Sequence, residues 1–113
     1  MKQIYLDYAA TTPVDPQVLE AMRPFFSQEF GNPGSLHSFG QKASAAVFSA
    51  RQTVAAALGA HYSEVIFTGS ATEANNLALR GAVKAYKSYM SYKPRIIISA
   101  IEHESVLETA REL

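Results

Sequence analysis

Cysteine is absent from this 113-residue chain. Its absence excludes a disulfide, a cysteine metal site and a catalytic thiol within these residues, and it fits a reducing compartment. Charge of one sign is missing too, because ten Lys and Arg balance ten Asp and Glu. With no basic stripe and no polybasic tail, neither a nucleic acid nor a membrane is an expected partner. The longest aliphatic run, Ile96 to Ile98, falls far short of the ~20 residues that span a bilayer. The opening MKQIYLDYAATTP lacks the apolar core of a signal peptide. These absences read as a cytoplasmic protein. The glycine signatures of phosphate binding are also missing: no G-x-x-x-x-G-K-[ST] occurs, and Gly69 stands alone where G-x-G-x-x-G needs three glycines. His37, His61 and His103 share no metal-ligand spacing, so no metal site is expected.

What remains is an ordinary globular composition, 48% apolar and 18% charged. A short strand is expected over 4–7. Asp15 then offers a capping side chain and Pro16 a preset first helical residue. Val18, Leu19, Met22 and Phe26 recur at helical spacing, which predicts a helix over 16–28 that Pro24 should kink or end early. FGNPGSLHSFG, 30–40, is dense in turn residues, yet Phe30, Leu36, His37 and Phe39 are bulky. Such a loop is either packed against something or used for something.

Ala43, Ala46, Val47, Ala50, Val54, Ala57 and Leu58 form one helical face over 41–58, with Gly59 as the stop. Val65, Ile66 and Phe67 predict a buried strand over 64–68. Leu79, Val83, Tyr86 and Met90 predict a helix over 72–89, in which Gly81 costs ~1 kcal/mol against alanine. A second strand is expected over 95–99 and a last helix over 104–113. Strand, helix, strand and helix joined by short loops imply a right-handed parallel crossover and an α/β layered domain. Two strands cannot shield themselves, which suggests the front part of something larger.

Two places carry candidate chemistry. In VIFTGSATEANNLAL the chain turns from strand to helix through Gly69, Ser70, Ala71 and Thr72, all small. A helix start there offers unpaired N–H groups, the positive end of the dipole and the Thr72 hydroxyl, which together suit an anion. Ser70 and Glu73 also fit an S-x-x-E capping box, in which the same donors are satisfied internally. In ISAIEHESV, His103 falls at the same sheet edge. Its imidazole can stack on, or hydrogen-bond to, whatever the first turn holds; alternatively it caps the last helix, with Glu102 and Glu104 favoured by the dipole. His37 lies in the Gly/Pro loop, and His61 reads as surface.

Four stretches, YLDYAATTPVDPQVLEAM, GNPGSLHSFGQKA, VIFTGSATEANNLAL and IISAIEHESVLE, resemble cysteine desulfurases in their order and spacing. These are pyridoxal-phosphate (PLP) enzymes of the class V aminotransferase group with the fold type I architecture. The resemblance covers essentially the whole chain. It implies an α/β fragment of the PLP-dependent transferase large domain, with parallel strands and flanking helices, over 16–113. Residues 1–15 would be a small-domain segment that forms an active-site arm.

By the same resemblance Ala71 and Thr72 match the positions that hold the cofactor phosphate. His103 matches the histidine that stacks on the pyridine ring and assists proton transfer. Asn32, Ser35 and His37 match a loop near the dimer interface and the active-site mouth. Asp7, Ala9, Ala10 and Thr11 match the segment that folds over the substrate end. The implied reaction takes L-cysteine to L-alanine and leaves a persulfide sulfur for iron–sulfur clusters or thiolation. The implied assembly is a homodimer that meets a sulfur-acceptor or scaffold protein.

Gly34 and the pair Gly69–Ser70 depart from the usual small residues of the pattern without changing the turn chemistry. None of Lys2, Lys42, Lys84, Lys87 and Lys93 follows the serine–histidine pattern of the lysine that holds the cofactor. The catalytic cysteine is missing as well, so these residues alone are expected to be inactive. Two other readings stay open: a selenocysteine lyase or another class V aminotransferase on the same fold, and a non-catalytic binding or dimerisation module.

Overall fold

The computed structural model describes residues 3–90, 92 and 94–113; Lys2 and Lys93, weighed above as cofactor lysines, lie outside them. The chain divides into two compact units, 1–65 and 66–113. The first contains α1 (Pro16–Ser27), α2 (Ser38–Leu58) and a 3-10 turn (Tyr62–Glu64). The second contains α3 (Ala71–Tyr89) and α4 (Glu104–Glu112).

Each helix starts where a side chain can take a backbone N–H. Asp15 Oδ1 accepts from Gln17 N at 2.7 Å, with Pro16 as the first helical residue. Pro24 does not end α1, which runs on to Ser27 before Gln28 N and Glu29 N close on the Pro24 carbonyl at 2.8 and 2.9 Å. α2 begins three residues before the expected 41, because His37 caps it through Nδ1, which accepts from Gly40 N at 3.3 Å. Gly40 therefore lies inside the helix and does not break it.

The 30–40 loop is packed against the start of this same helix. A side chain on Gly31 would overlap the Phe39 carbonyl, and one on Gly40 the Ser35 carbonyl. The rings of Phe30 and Phe39 lie 5.7 Å apart. At its other end α2 stops on Gly59, whose φ of 65° is the left-handed region open to glycine. Ala43, Ala55 and Val65 are buried in this unit. Arg51, reaching off α2, donates to the Val65 carbonyl.

In the second unit three side-chain pairs set the direction of α3 against α4. Asn75 meets Ser105 at 2.9 Å, Asn76 meets Thr109 at 3.0 Å, and Arg80 pairs with Glu112. Positions rise together along both helices, so the two run parallel and their starts lie at the same end. From Asn75 to the end of α3 is roughly 20 Å of helix. The chain covers that distance backwards through the non-helical 94–99 segment, whose six residues reach about 20 Å when extended. The path is that of a crossover unit. Thr109, 4% exposed, and Val83 are its buried members.

The parallel strands expected over 64–68 and 95–99, and the short one over 4–7, are not formed among the described residues. The α/β layering therefore does not appear as a sheet here. The reason is that a strand exists through hydrogen bonds to a neighbouring strand, whereas an apolar pattern reports only what a segment can bury. Glu64 belongs to the 3-10 turn, and Val65 beyond it has extended backbone, with φ −90° and ψ 121°. Ile66 is 65% and Ile97 90% exposed, which leaves uncovered the faces that a sheet and its layers would bury. No helix among the described residues is long and apolar enough to cross a membrane.

Candidate functional site

The start of α3 satisfies some of its donors and leaves others open. Ser70 is extended (φ −161°, ψ 161°), and its Oγ accepts from Glu73 N at 3.1 Å. The Glu73 carboxylate turns back onto Gly69 N at 2.7 Å. The cap expected from S-x-x-E is therefore present, though its reciprocal bond reaches one residue further back than the usual capping box. It occupies the N–H groups of Gly69 and Glu73. Among the described residues Ala71 N, Thr72 N and the Thr72 hydroxyl have no protein partner, and both residues are exposed. Capping and anion binding thus use different donors of one helix end. A cluster of two amides and a hydroxyl at the positive end of a 19-residue helix suits a phosphate group.

His103 caps α4. Its Nδ1 accepts from Ser105 N at 3.1 Å and lies 2.9 Å from Ser105 Oγ. With Nδ1 accepting, the proton of a neutral imidazole sits on Nε2. The Asn75–Ser105 contact puts this histidine beside α3 one turn beyond Thr72. The structure therefore brings Ala71, Thr72 and His103 to neighbouring helix starts within one unit. The polar links that hold these starts together, Asn75, Ser105, Asn76 and Thr109, were missed in the sequence. Their signal was available in part, since Asn75 and Asn76 stand within a helical run where asparagine is a poor choice without a partner.

The remaining site residues lie in the first unit, each in a local turn. Ala10 N donates to the Asp7 carbonyl at 3.1 Å, and the Thr11 carbonyl accepts from the Tyr5 hydroxyl at 3.3 Å. Asn32 Oδ1 accepts from Gly34 N at 2.9 Å and its carbonyl from Ser35 N at 2.9 Å. His37 caps α2 as described, with its ring edge-on to Phe39. His61, read as surface, caps the 3-10 turn in the same manner. All three histidines thus present Nδ1 to a backbone N–H. Among the described residues no group of acidic, histidine or cysteine side chains could hold a metal. Among the described residues the one clear pKa shift is away from this site: a hydrogen bond with Tyr92, and then desolvation, raises the Tyr86 phenol above its ordinary value.

Comparison with known proteins shows the family to which these residues belong. Residues 4–113 match the family described as Aminotransferase class-V. A "Cysteine desulfurase, mitosomal" of Trachipleistophora hominis is 49% identical over 98% of this chain and 25% of its own length. A "Cysteine desulfurase IscS" of Rickettsia massiliae is 51% identical over 97% of this chain and 26% of its own. A solved structure titled "NIFS-LIKE PROTEIN" superposes with a TM-score of 0.87 at 40% identity, covering 98% of this chain and 30% of that one. The chain thus spans about a quarter of the length of the curated relatives it matches.

Proposed function

The chain belongs to the aminotransferase class-V family, and from that premise we propose that it is the N-terminal part of a PLP-dependent cysteine desulfurase. The whole enzyme takes L-cysteine to L-alanine and retains the sulfur as a persulfide, which an acceptor or scaffold protein receives for iron–sulfur clusters or thiolation. Relatives named for that activity at 49% and 51% identity support the reading. The observation that supports it is the start of α3, where Ala71 N, Thr72 N and the Thr72 hydroxyl have no protein partner among the described residues although Ser70 and Glu73 cap the same turn.

The fit of PLP to these residues is chemical. Its dianionic phosphate matches two amides and a hydroxyl at a helix start. Its flat aromatic ring matches the imidazole of His103 on the neighbouring helix start. When bound, the cofactor supplies an electron sink for charge that develops on the substrate carbon. The part of these residues would be to grip and orient: Ala71 and Thr72 would hold the phosphate, and His103 would meet the ring and hold a proton at Nε2. The resemblance is what supports a substrate-side role for Asn32, His37, Ala10 and Thr11 in the whole enzyme. The resemblance supports 1–15 as the small-domain segment and 16–113 as the start of the large domain, in which 64–68 and 95–99 would join a parallel sheet once its other strands are present. The enzyme is a cytoplasmic homodimer.

The test is the product of the complete reading frame, purified and mixed with PLP. A visible cofactor band, and alanine formed from added cysteine, are the expected results. A full-length product that takes up no PLP overturns the reading, and one that binds PLP yet releases no alanine from cysteine moves the chain to another substrate of the family.

A further inference from the structure

Ser105 lies between two groups of fixed hydrogen-bonding sense. Asn75 Nδ2, an amide nitrogen that can only donate, is 2.9 Å from Ser105 Oγ. His103 Nδ1, also 2.9 Å from that Oγ, already accepts the Ser105 backbone N–H at 3.1 Å and so carries no proton of its own. The arrangement that satisfies both has Ser105 Oγ accept from Asn75 and donate to His103 Nδ1, sharing that nitrogen's lone pair with the Ser105 N–H. The chain of donors runs Asn75 Nδ2 to Ser105 Oγ to His103 Nδ1, across the contact between α3 and α4.

We propose that Ser105, oriented by Asn75, is the positioning residue for His103: its hydroxyl locks the imidazole in the tautomer protonated at Nε2 and fixes the plane of the ring. The inference rests on the proposed cofactor role of His103. It deepens that role by linking the ring to α3, the same helix whose start offers the phosphate donors. Anchored to that helix, the ring would keep a fixed place relative to the donors at its start. Asn75 and Ser105 touch no reacting atom in this arrangement; they act through His103. The backbone N–H of Ser105 makes a weaker lock alone, because it fixes the capping nitrogen without tying the ring to α3.

The experiment uses the holoprotein from the complete reading frame, labelled with 15N-histidine and read by long-range proton–nitrogen correlation. Wild-type His103 should show a measurable excess of the Nε2–H tautomer over the Nδ1–H one. In Ser105→Ala the ratio of the two neutral tautomers should fall about two- to tenfold, the range that one net hydrogen bond supports. Asn75→Asp should lower it at least as far, since a carboxylate accepts the Ser105 proton and draws it off the ring. Ser105→Thr, which keeps a hydroxyl, should restore the wild-type spectrum. Unchanged tautomer ratios in both Ser105→Ala and Asn75→Asp would overturn the proposal. PLP uptake, read by absorbance on the same samples, reports separately on the cofactor role. A protein that takes up none loses that role, while its tautomer ratios still decide the Asn75–Ser105–His103 chain.

Discussion

Proline at position 71 separates the two uses of the α3 helix start. Ala71 is the first residue of α3, and Ser70 before it has φ −161° and ψ 161°. The first helical position tolerates proline, since its N–H has no partner within the helix, and the extended backbone of Ser70 is what a residue preceding proline prefers. Ala71→Pro should therefore remove one phosphate-facing amide while the helix stays intact. A hydrogen bond to a charged group contributes about 1.5–3 kcal/mol, so PLP affinity should drop about 10- to 100-fold. Ser70→Ala perturbs the other use. It deletes the hydroxyl that takes Glu73 N at 3.1 Å, at a cost of about 1 kcal/mol of stability, and leaves Ala71 N and Thr72 N where they are. Both variants of the complete protein would be compared by fluorescence titration with PLP and by thermal melting. The expected pattern is crossed: Ala71→Pro loses affinity with its melting point kept, and Ser70→Ala loses melting temperature with most of its affinity kept. If Ala71→Pro binds PLP as the wild type does, the amides of this helix start do not hold the phosphate.

Two further outcomes concern the frame around the site. Gly40→Ala would drive a methyl group into the Ser35 carbonyl and to within 2.8 Å of the Asn32 carbonyl; a loss of about 1–3 kcal/mol is expected in denaturant unfolding, and a neutral result would mean that the 30–37 loop is not clamped on α2. Gly59→Ala meets nothing within 4 Å but must hold φ near 65°. A conformational loss of about 1–2 kcal/mol is therefore expected, and Gly59→Asn should recover part of it.

Much of the helical frame was legible along the chain. Asp15 with Pro16, Ser70 with Glu73, and Gly59 are local signals whose chemistry lies within four residues, so α1, α3 and the end of α2 fall within a residue of expectation. The start of α2 was misplaced because His37 is an unusual cap and Gly40 resembles a breaker until its close approach to Ser35 is seen. The expected strands are not formed among the described residues for a different reason: Ile66 and Ile97 have the apolar pattern of a sheet, but pairing depends on neighbours that no local pattern contains.

The candidate site divides along the same line. Sequence determined the ingredients, namely small residues and a capped helix start at 69–73, a histidine at 103, and co-linear motifs that identify the family. Those depend on residue identity and short spacing alone. Tertiary structure decided that α3 and α4 run parallel, that His103 reaches α3 through Ser105 and Asn75, and that capping leaves Ala71 N and Thr72 N open. Asn75 and Ser105 are thirty residues apart, and hydrogen bonds over such a separation exist only after the chain has turned back to lay one helix beside the other.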